Sequence, residues 1–277
     1  MKKPIAILFF ILLNIYTVAS QTEISIPYGN NKEAGNYKDV NGIKMYYEIY
    51  GSGKPLVLLH GNGGSIKGHA RRIEYFKNQF QVIAIDSRGH GKSVDTSNKQ
   101  LNYNQMADDV SVLLDSLKIK DAYIWGQSDG GILGLLIAIH HPEKVSKLAA
   151  FGANLYPGKK AVYDEIDKLV MDTLKATKDS RTKNLYTLLA YQPDIKDKDL
   201  QKIKCPVLIM SGDRDAIRLE HSIEIFNNIE NSNLFVMPGA THFGSYEKTE
   251  LFNMVLSSFF NEPFKKTSTV DIFKGKK

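Results

Sequence analysis

The sequence predicts an α/β domain in which a mostly parallel sheet carries helices on both faces. Strand-like and helix-like segments alternate along most of the 277 residues, the order that builds parallel sheets from strand–helix–strand units. Short apolar runs at 56–59, 82–85 and 206–210 are continuous rather than alternating, as strands covered on both faces are. Loops rich in glycine and polar residues follow several of these runs directly, at the strand ends where open α/β sheets assemble their sites.

The elements follow in order. Lys2 and Lys3 precede an apolar stretch over 4–15, and Val18-Ala19-Ser20 supplies small residues behind it. This is the pattern of a cleaved signal peptide over 1–20, so the mature chain should begin at Gln21 and be exported, to the periplasm or the medium in a bacterium. The apolar core is short for a bilayer span of about 20 residues and Asn14 interrupts it, so no stable membrane anchor is expected. Residues 43–50 read as an antiparallel edge strand ending in the turn Gly51-Ser52-Gly53. Residues 56–59 and 82–85 are buried strands. Residues 106–117 have apolar side chains at helical spacing, with Asp108 and Asp109 in the early turns that the helix dipole favours. Residues 122–125 form a strand, and 132–140, nearly all apolar, a helix buried against the sheet. The alternation breaks over 155–203, which holds helix-like pieces at 160–176 and 181–190 and no convincing strand. It resumes with strands at 206–210 and 234–237. The core is thus 21–154 with 204–262. The remainder, 263–277, concentrates lysine at Lys265, Lys266, Lys274, Lys276 and Lys277 and reads as a solvated, flexible tail.

Composition narrows the function. A net charge of +6, dispersed along the chain, does not argue for nucleic acid. The single cysteine, Cys205, has no partner for an internal disulfide and reads as a packing residue. His140 and His141 are adjacent, diverge on a helix and cannot chelate one metal together. The glycine-containing loop 86–93 lacks the ending of a phosphate loop and more simply shapes a turn. No metal and no cofactor are expected.

Gly126-Gln127-Ser128-Asp129-Gly130-Gly131 joins the strand Ala122-Tyr123-Ile124-Trp125 to the apolar helix. A strand turning sharply into a helix strains its central residue and exposes that side chain at the helix N-terminus, and Gly126 and Gly130 leave room for the turn. Ser128 is therefore the candidate nucleophile. A serine hydroxyl needs a base to take its proton and a carboxylate to orient that base. Asp213 and Asp215 follow one strand in Ser211-Gly212-Asp213-Arg214-Asp215, and His242 follows another in Gly239-Ala240-Thr241-His242-Phe243. The order Ser, Asp, His has each member at a strand's C-terminal end. His60-Gly61-Asn62-Gly63-Gly64-Ser65 closes the run at 56–59, so the N–H of Asn62 can join that of Asp129 in an oxyanion hole. His60 more simply holds this loop than transfers protons.

With Tyr46-Tyr47-Glu48-Ile49-Tyr50-Gly51, Asp86-Ser87-Arg88-Gly89-His90-Gly91-Lys92-Ser93 and Met106-Ala107-Asp108-Asp109-Val110, these motifs resemble the α/β-hydrolase fold over about 40–260. Gly126-Gln127-Ser128-Asp129-Gly130-Gly131-Ile132 and Phe151-Gly152-Ala153-Asn154 resemble the valacyclovir hydrolase, or biphenyl hydrolase-like, group within it. The resemblance implies a helical cap over the active site at 155–203, with Tyr156, Tyr163, Tyr186 and Tyr191 either facing the pocket or simply packing. It selects Asp215, three residues beyond Gly212, as the acid and leaves Asp213 as a turn residue. It implies a serine hydrolase of a small-molecule ester, lactone or thioester working through an acyl-enzyme. It also implies that the Asp129 side chain binds a substrate α-amino group, where the simpler reading is an acidic residue favoured by the helix start. The alternatives are carbon–carbon bond hydrolysis on the same fold, or a non-catalytic ligand-binding member.

Overall fold

The computed structural model describes residues 24–97 and 99–275. The expected signal peptide and the last two lysines of the tail lie outside the described residues.

Eight strands form one sheet: β1 (Gly35–Val40), β2 (Ile43–Tyr50), β3 (Pro55–Leu59), β4 (Gln81–Ile85), β5 (Ala122–Gln127), β6 (Val145–Phe151), β7 (Val207–Arg214) and β8 (Ser232–Thr241). Their spatial order is β1-β2-β4-β3-β5-β6-β7-β8. β1 and β2 pair antiparallel, β2 meets β4 antiparallel, and every later pairing is parallel. The helices are α1 (Ala70–Phe76), α2 (Tyr103–Ser116), α3 (Asp129–His140), α4 (Asp164–Ala176), α5 (Ser180–Tyr191), α6 (Asp197–Leu200), α7 (Leu219–Asn228), α8 (Gly244–Glu247), α9 (Thr249–Asn261) and α10 (Thr269–Phe273).

Each face of the sheet has its own core, which is why the central strands are apolar at every position. Val57, Leu59 and Ile124 pack with α2 and α3 on one face. Leu56, Leu58 and Trp125 pack with Phe76 of α1 and with Phe252 and Phe260 of α9 on the other. α3 buries every residue from Asp129 to Ile139, so its nearly uniform apolarity is that of a helix enclosed on all sides.

Several elements depart from the sequence expectation. β6 reads Val-Ser-Lys-Leu-Ala-Ala-Phe, a poor strand by composition. It is extended because β5 and β7 satisfy its backbone on both edges, a case of tertiary context overriding propensity. α2 begins at Tyr103 rather than 106, because the Asn102 side chain caps it by accepting the Gln105 N–H at 3.2 Å. Asp109 then lies in the second turn and is buried. It accepts from Arg88 Nε at 2.6 Å and Nη2 at 2.9 Å, so it neutralises a buried guanidinium rather than a helix dipole. The helix expected from 160 begins at Asp164, after a turn in which the N–H groups of Ala161 and Val162 share the Gly158 carbonyl.

Residues 155–203 contribute α4, α5 and α6 and no strand of the sheet. α4 fully buries no residue and α5 only Leu188. Polar bonds attach α5 to the loop before α2: Leu101 N–H donates to Asn184 Oδ1 at 2.9 Å, and Gln192 Nε2 donates to the Leu101 carbonyl at 3.0 Å. At the base of the insertion, His221 Nε2 accepts from Leu155 N–H at 2.9 Å while its Nδ1 donates to Glu224 at 2.7 Å. Tyr156 donates to the same carboxylate.

Candidate active site

Ser128 joins β5 to α3 at φ 54°, ψ −118°, a left-handed conformation that costs a β-carbon-bearing residue about 1–3 kcal/mol. Its N–H donates to the Phe151 carbonyl at 2.8 Å. The glycines on either side are required by contact. A Cβ on Gly126 would lie 2.0 Å from the Gly130 carbonyl oxygen, and one on Gly130 would lie 2.0 Å from that of Leu59.

Three loops bring distant side chains together here. Ser128 Oγ donates to His242 Nε2 at 3.0 Å, and His242 Nδ1 donates to Asp215 Oδ1 at 2.6 Å. A carboxylate can only accept, so the proton sits on Nδ1 and leaves Nε2 free to receive one. Asp215 also accepts from Ile217 N–H at 3.0 Å and Gly212 N–H at 3.3 Å. Asp213 is exposed and accepts from Ala240 N–H, so of the two aspartates only Asp215 faces His242. Gly152 follows β6, a strand that its Ser-Lys-Leu-Ala-Ala composition does not announce. At φ 61° it lies against the imidazole, and a Cβ there would be 2.7 Å from His242 Cε1.

Electrostatics follow the geometry. Burial drives the His242 pKa down, but the Asp215 charge and hydrogen bond outweigh it, and the net shift is upward. Burial drives the Asp215 carboxyl up. The His242 charge and the hydrogen bonds it accepts prevail, and the net shift is downward.

The loop after β3 lies against the nucleophile: a Cβ on Gly61 would be 3.1 Å from Ser128 Cβ. His60 is buried, with its pKa lowered to about 4 by desolvation. It receives Ser87 N–H on Nε2 at 3.0 Å and donates from Nδ1 to the Gly61 carbonyl at 2.8 Å. Both nitrogens are thereby occupied in fixing the loop. Asn62 Nδ2 donates to Asp129 Oδ2 at 3.0 Å and also faces the Leu185 carbonyl of α5 at 3.4 Å.

Asp129 is only 2% exposed. Desolvation pushes its carboxyl up to about 6, against the opposing influence of Tyr103, Asn62 and His242. Neither its Oδ1 nor the hydroxyl of the neighbouring Tyr103 makes a hydrogen bond of ordinary geometry, but the two groups act on each other: the phenol lowers the pKa of the Asp129 carboxyl and the carboxylate raises that of the phenol. Nothing in the sequence marked Tyr103, which reads as one more core aromatic. Of the four tyrosines of the insertion, Tyr156 is engaged with Glu224 and His221, Tyr163 lies under Arg218, Tyr191 is exposed and Tyr186 is half-buried. His141 pairs with Asp108 at 2.8 Å. Among the described residues, no group of three or more histidine, cysteine or carboxylate side chains is placed to hold a metal ion. None of the described helices is long and apolar enough to cross a membrane.

A fold with a left-handed serine between a parallel strand and a buried helix, bonded through histidine to a buried aspartate, defines the α/β-hydrolase class. Residues 54–171 match the family model for the alpha/beta hydrolase fold, and the chain is a hydrolase of that fold. It is 29% identical to the serine hydrolase BPHL of Homo sapiens over 79% of this chain and 84% of that protein. It is 26% identical to the putative carbamate hydrolase RutD of Caulobacter sp. (strain K31) over 78% of this chain and 96% of that protein. Among solved structures it resembles the esterase EaEST from Exiguobacterium antarcticum, with a TM-score of 0.72 and 25% identity over 82% of this chain and 100% of that chain.

Proposed function

We propose that the protein is a serine hydrolase of small carboxylic esters. The observation that carries this reading is the continuous hydrogen-bond chain from Ser128 through His242 to Asp215, assembled from the ends of three different strands. His242 Nε2 takes the hydroxyl proton as Ser128 Oγ attacks the acyl carbon. Asp215 holds the tautomer and stabilises the imidazolium. The backbone N–H groups of Asn62 and Asp129 receive the oxyanion. The imidazolium then protonates the leaving alcohol, and a water activated by His242 releases the acyl group. Residues 155–203 act as a cap over this site, a reading supported by the contact of Asn62 with the α5 carbonyl of Leu185.

Within that class, Asp129 favours esters that carry an α-amino group. Its buried Oδ1, which makes no well-formed hydrogen bond and interacts only loosely with the Tyr103 hydroxyl, is an acceptor in the residue next to the nucleophile, and an ammonium would keep it ionised. Above about pH 6 the carboxylate presents the charge that an ammonium requires. Maturation is proposed at Gln21, with export of the chain. Mass spectrometry of the protein from its native cell should find that terminus outside the cytosol, and an intact Met1 in the cytosol would refute it.

The central test is covalent labelling by a fluorophosphonate together with product analysis on a panel of amino-acid esters, simple esters, lactones and carbon–carbon hydrolase substrates. The expected result is labelling confined to Ser128 and acid plus alcohol as products. An unlabelled Ser128, or turnover only of carbon–carbon bonds, would overturn the esterase reading.

A further inference from the structure

The residue before the nucleophile has a side chain that acyl transfer does not use. Gln127 closes β5, and its Nε2 donates to the His242 carbonyl oxygen at 3.3 Å while its Oε1 accepts from Ser245 Oγ at 2.7 Å. The orientation of this amide is chemically determined, because a carbonyl only accepts and the atom facing it must be the nitrogen. The carbonyl of Ser245 accepts in turn from Arg72 Nη2 at 2.8 Å. The Arg72 guanidinium lies 4.3 Å from the ring centre of Trp125 and 4.9 Å from that of Phe252. Exposure is 5% for Gln127, 0% for Ser245 and 3% for Arg72, so water does not compete for these bonds.

We propose that Gln127 is a positioning residue for His242, the end of an Arg72–Ser245–Gln127 brace that fixes the main chain at 242 against Ser128. This rests on the serine mechanism proposed above. Asp215 orients the imidazole, but it does so through the side chain. The residue before His242, Thr241, is itself held by pairing with Arg214 of β7 and by its N–H, which donates to Glu247 at 3.0 Å. Gln127 supplies a tie from the buried side, and it is covalently adjacent to Ser128, so the nucleophile and the backbone of its base are referred to one rigid strand end. An amide of this length suits the task because it donates to one neighbour and accepts from the other at once. An ionised carboxylate only accepts, and a thioether does neither effectively. Arg72 anchors the far end between two aromatic faces, and among the described residues no carboxylate forms an ion pair with it. It is therefore free of a competing acidic partner that would draw it away from Ser245.

Gln127→Met, Gln127→Glu and Ser245→Ala should be compared with the wild type by the second-order rate of fluorophosphonate labelling, by kcat and KM on one simple ester, and by thermal unfolding. Gln127→Met is expected to lower labelling and kcat together by roughly 10- to 100-fold, the scale of a small misplacement of a reacting group, with KM little changed. Gln127→Glu, which retains the Ser245 bond and loses the donor to His242, should match it, and Ser245→Ala should fall between. In a His242→Ala background Gln127→Met should cause no further loss of residual labelling, as expected if it acts only through the base. Wild-type labelling in both Gln127 variants, a change in KM alone, or an undiminished loss in the His242→Ala background would each overturn the brace. Should Gln127→Met fail to fold, Ser245→Ala, which removes one hydroxyl, decides by the same criteria. Failure of the wild type to label, with Ser128→Ala as control, would instead remove the serine mechanism itself.

Discussion

On the two sides of Ser128 the protein treats a buried carboxylate in opposite ways. Toward β7 and β8, Asp215 accepts from two backbone N–H groups and an imidazole, and its pKa is held down despite burial. Toward the insertion, Asp129 receives one well-formed hydrogen bond, from the Asn62 amide, and only a looser interaction with the Tyr103 hydroxyl, and its pKa is driven up to about 6. A carboxylate completed by the fold is part of a fixed machine. A buried carboxylate left incomplete is destabilised by itself and gains from any cation that enters beside it. The secondary structure divides along the same line. α3, behind the nucleophile, is buried along nearly its whole length, whereas α4 of the insertion fully buries nothing. The side that would carry chemistry is locked into the core, and the side that would carry selectivity is attached by surface contacts.

The hardest test of this contrast is removal of the group that both sides share. Ser128→Ala should keep the fold and lower turnover by about 10⁶-fold, and activity near wild type would end the serine reading. On the completed side, Asp215→Asn should cost about 10⁴-fold in kcat. It should also shift the rising limb of the pH–rate profile to lower pH, because the Asp215 charge is what raises the His242 pKa above its ordinary value. Asp213→Asn should be nearly silent, and the reverse pattern would transfer the role to Asp213.

On the incomplete side the effects should be selective. Asp129→Asn should weaken kcat/KM for amino-acid esters by about 2–5 kcal/mol, the scale for truncating a buried charge pair, and should spare the same esters without the amine. Equal losses on both would reduce Asp129 to a helix-start residue. The smallest effect is on stability, with the sign set by the raised pKa. The carboxyl titrates near 3.8 when unperturbed and near 6 in the folded protein, so its favourable contribution is full below the first value and is lost as pH rises through the second. Denaturant unfolding of the wild type relative to Asp129→Asn should show a decline of ~3 kcal/mol across that window. A difference independent of pH would show that burial does not penalise this carboxylate.

Local patterns in the chain were enough for the fold class and for the set of candidate residues. The continuous apolar runs of β3, β4 and β7 require cover on both faces, and the glycines around Ser128 report a sharp turn because no residue with a Cβ fits beside it. Such features reside in a few neighbouring residues, so period and turn chemistry disclose them. The same patterns were silent on β6, whose Ser-Lys-Leu-Ala-Ala run becomes a strand only between two others, and misleading on Asp109, whose partner Arg88 comes from another loop. They also could not supply the distances that join Ser128 to His242 across 114 positions, the exclusion of Asp213 from that chain, or the grip of Gln127 on the His242 carbonyl. Those depend on which strand ends lie side by side and which polar groups are left to satisfy one another once water is excluded. Burial and long-range pairing are properties of the folded chain, and only the tertiary structure decides them.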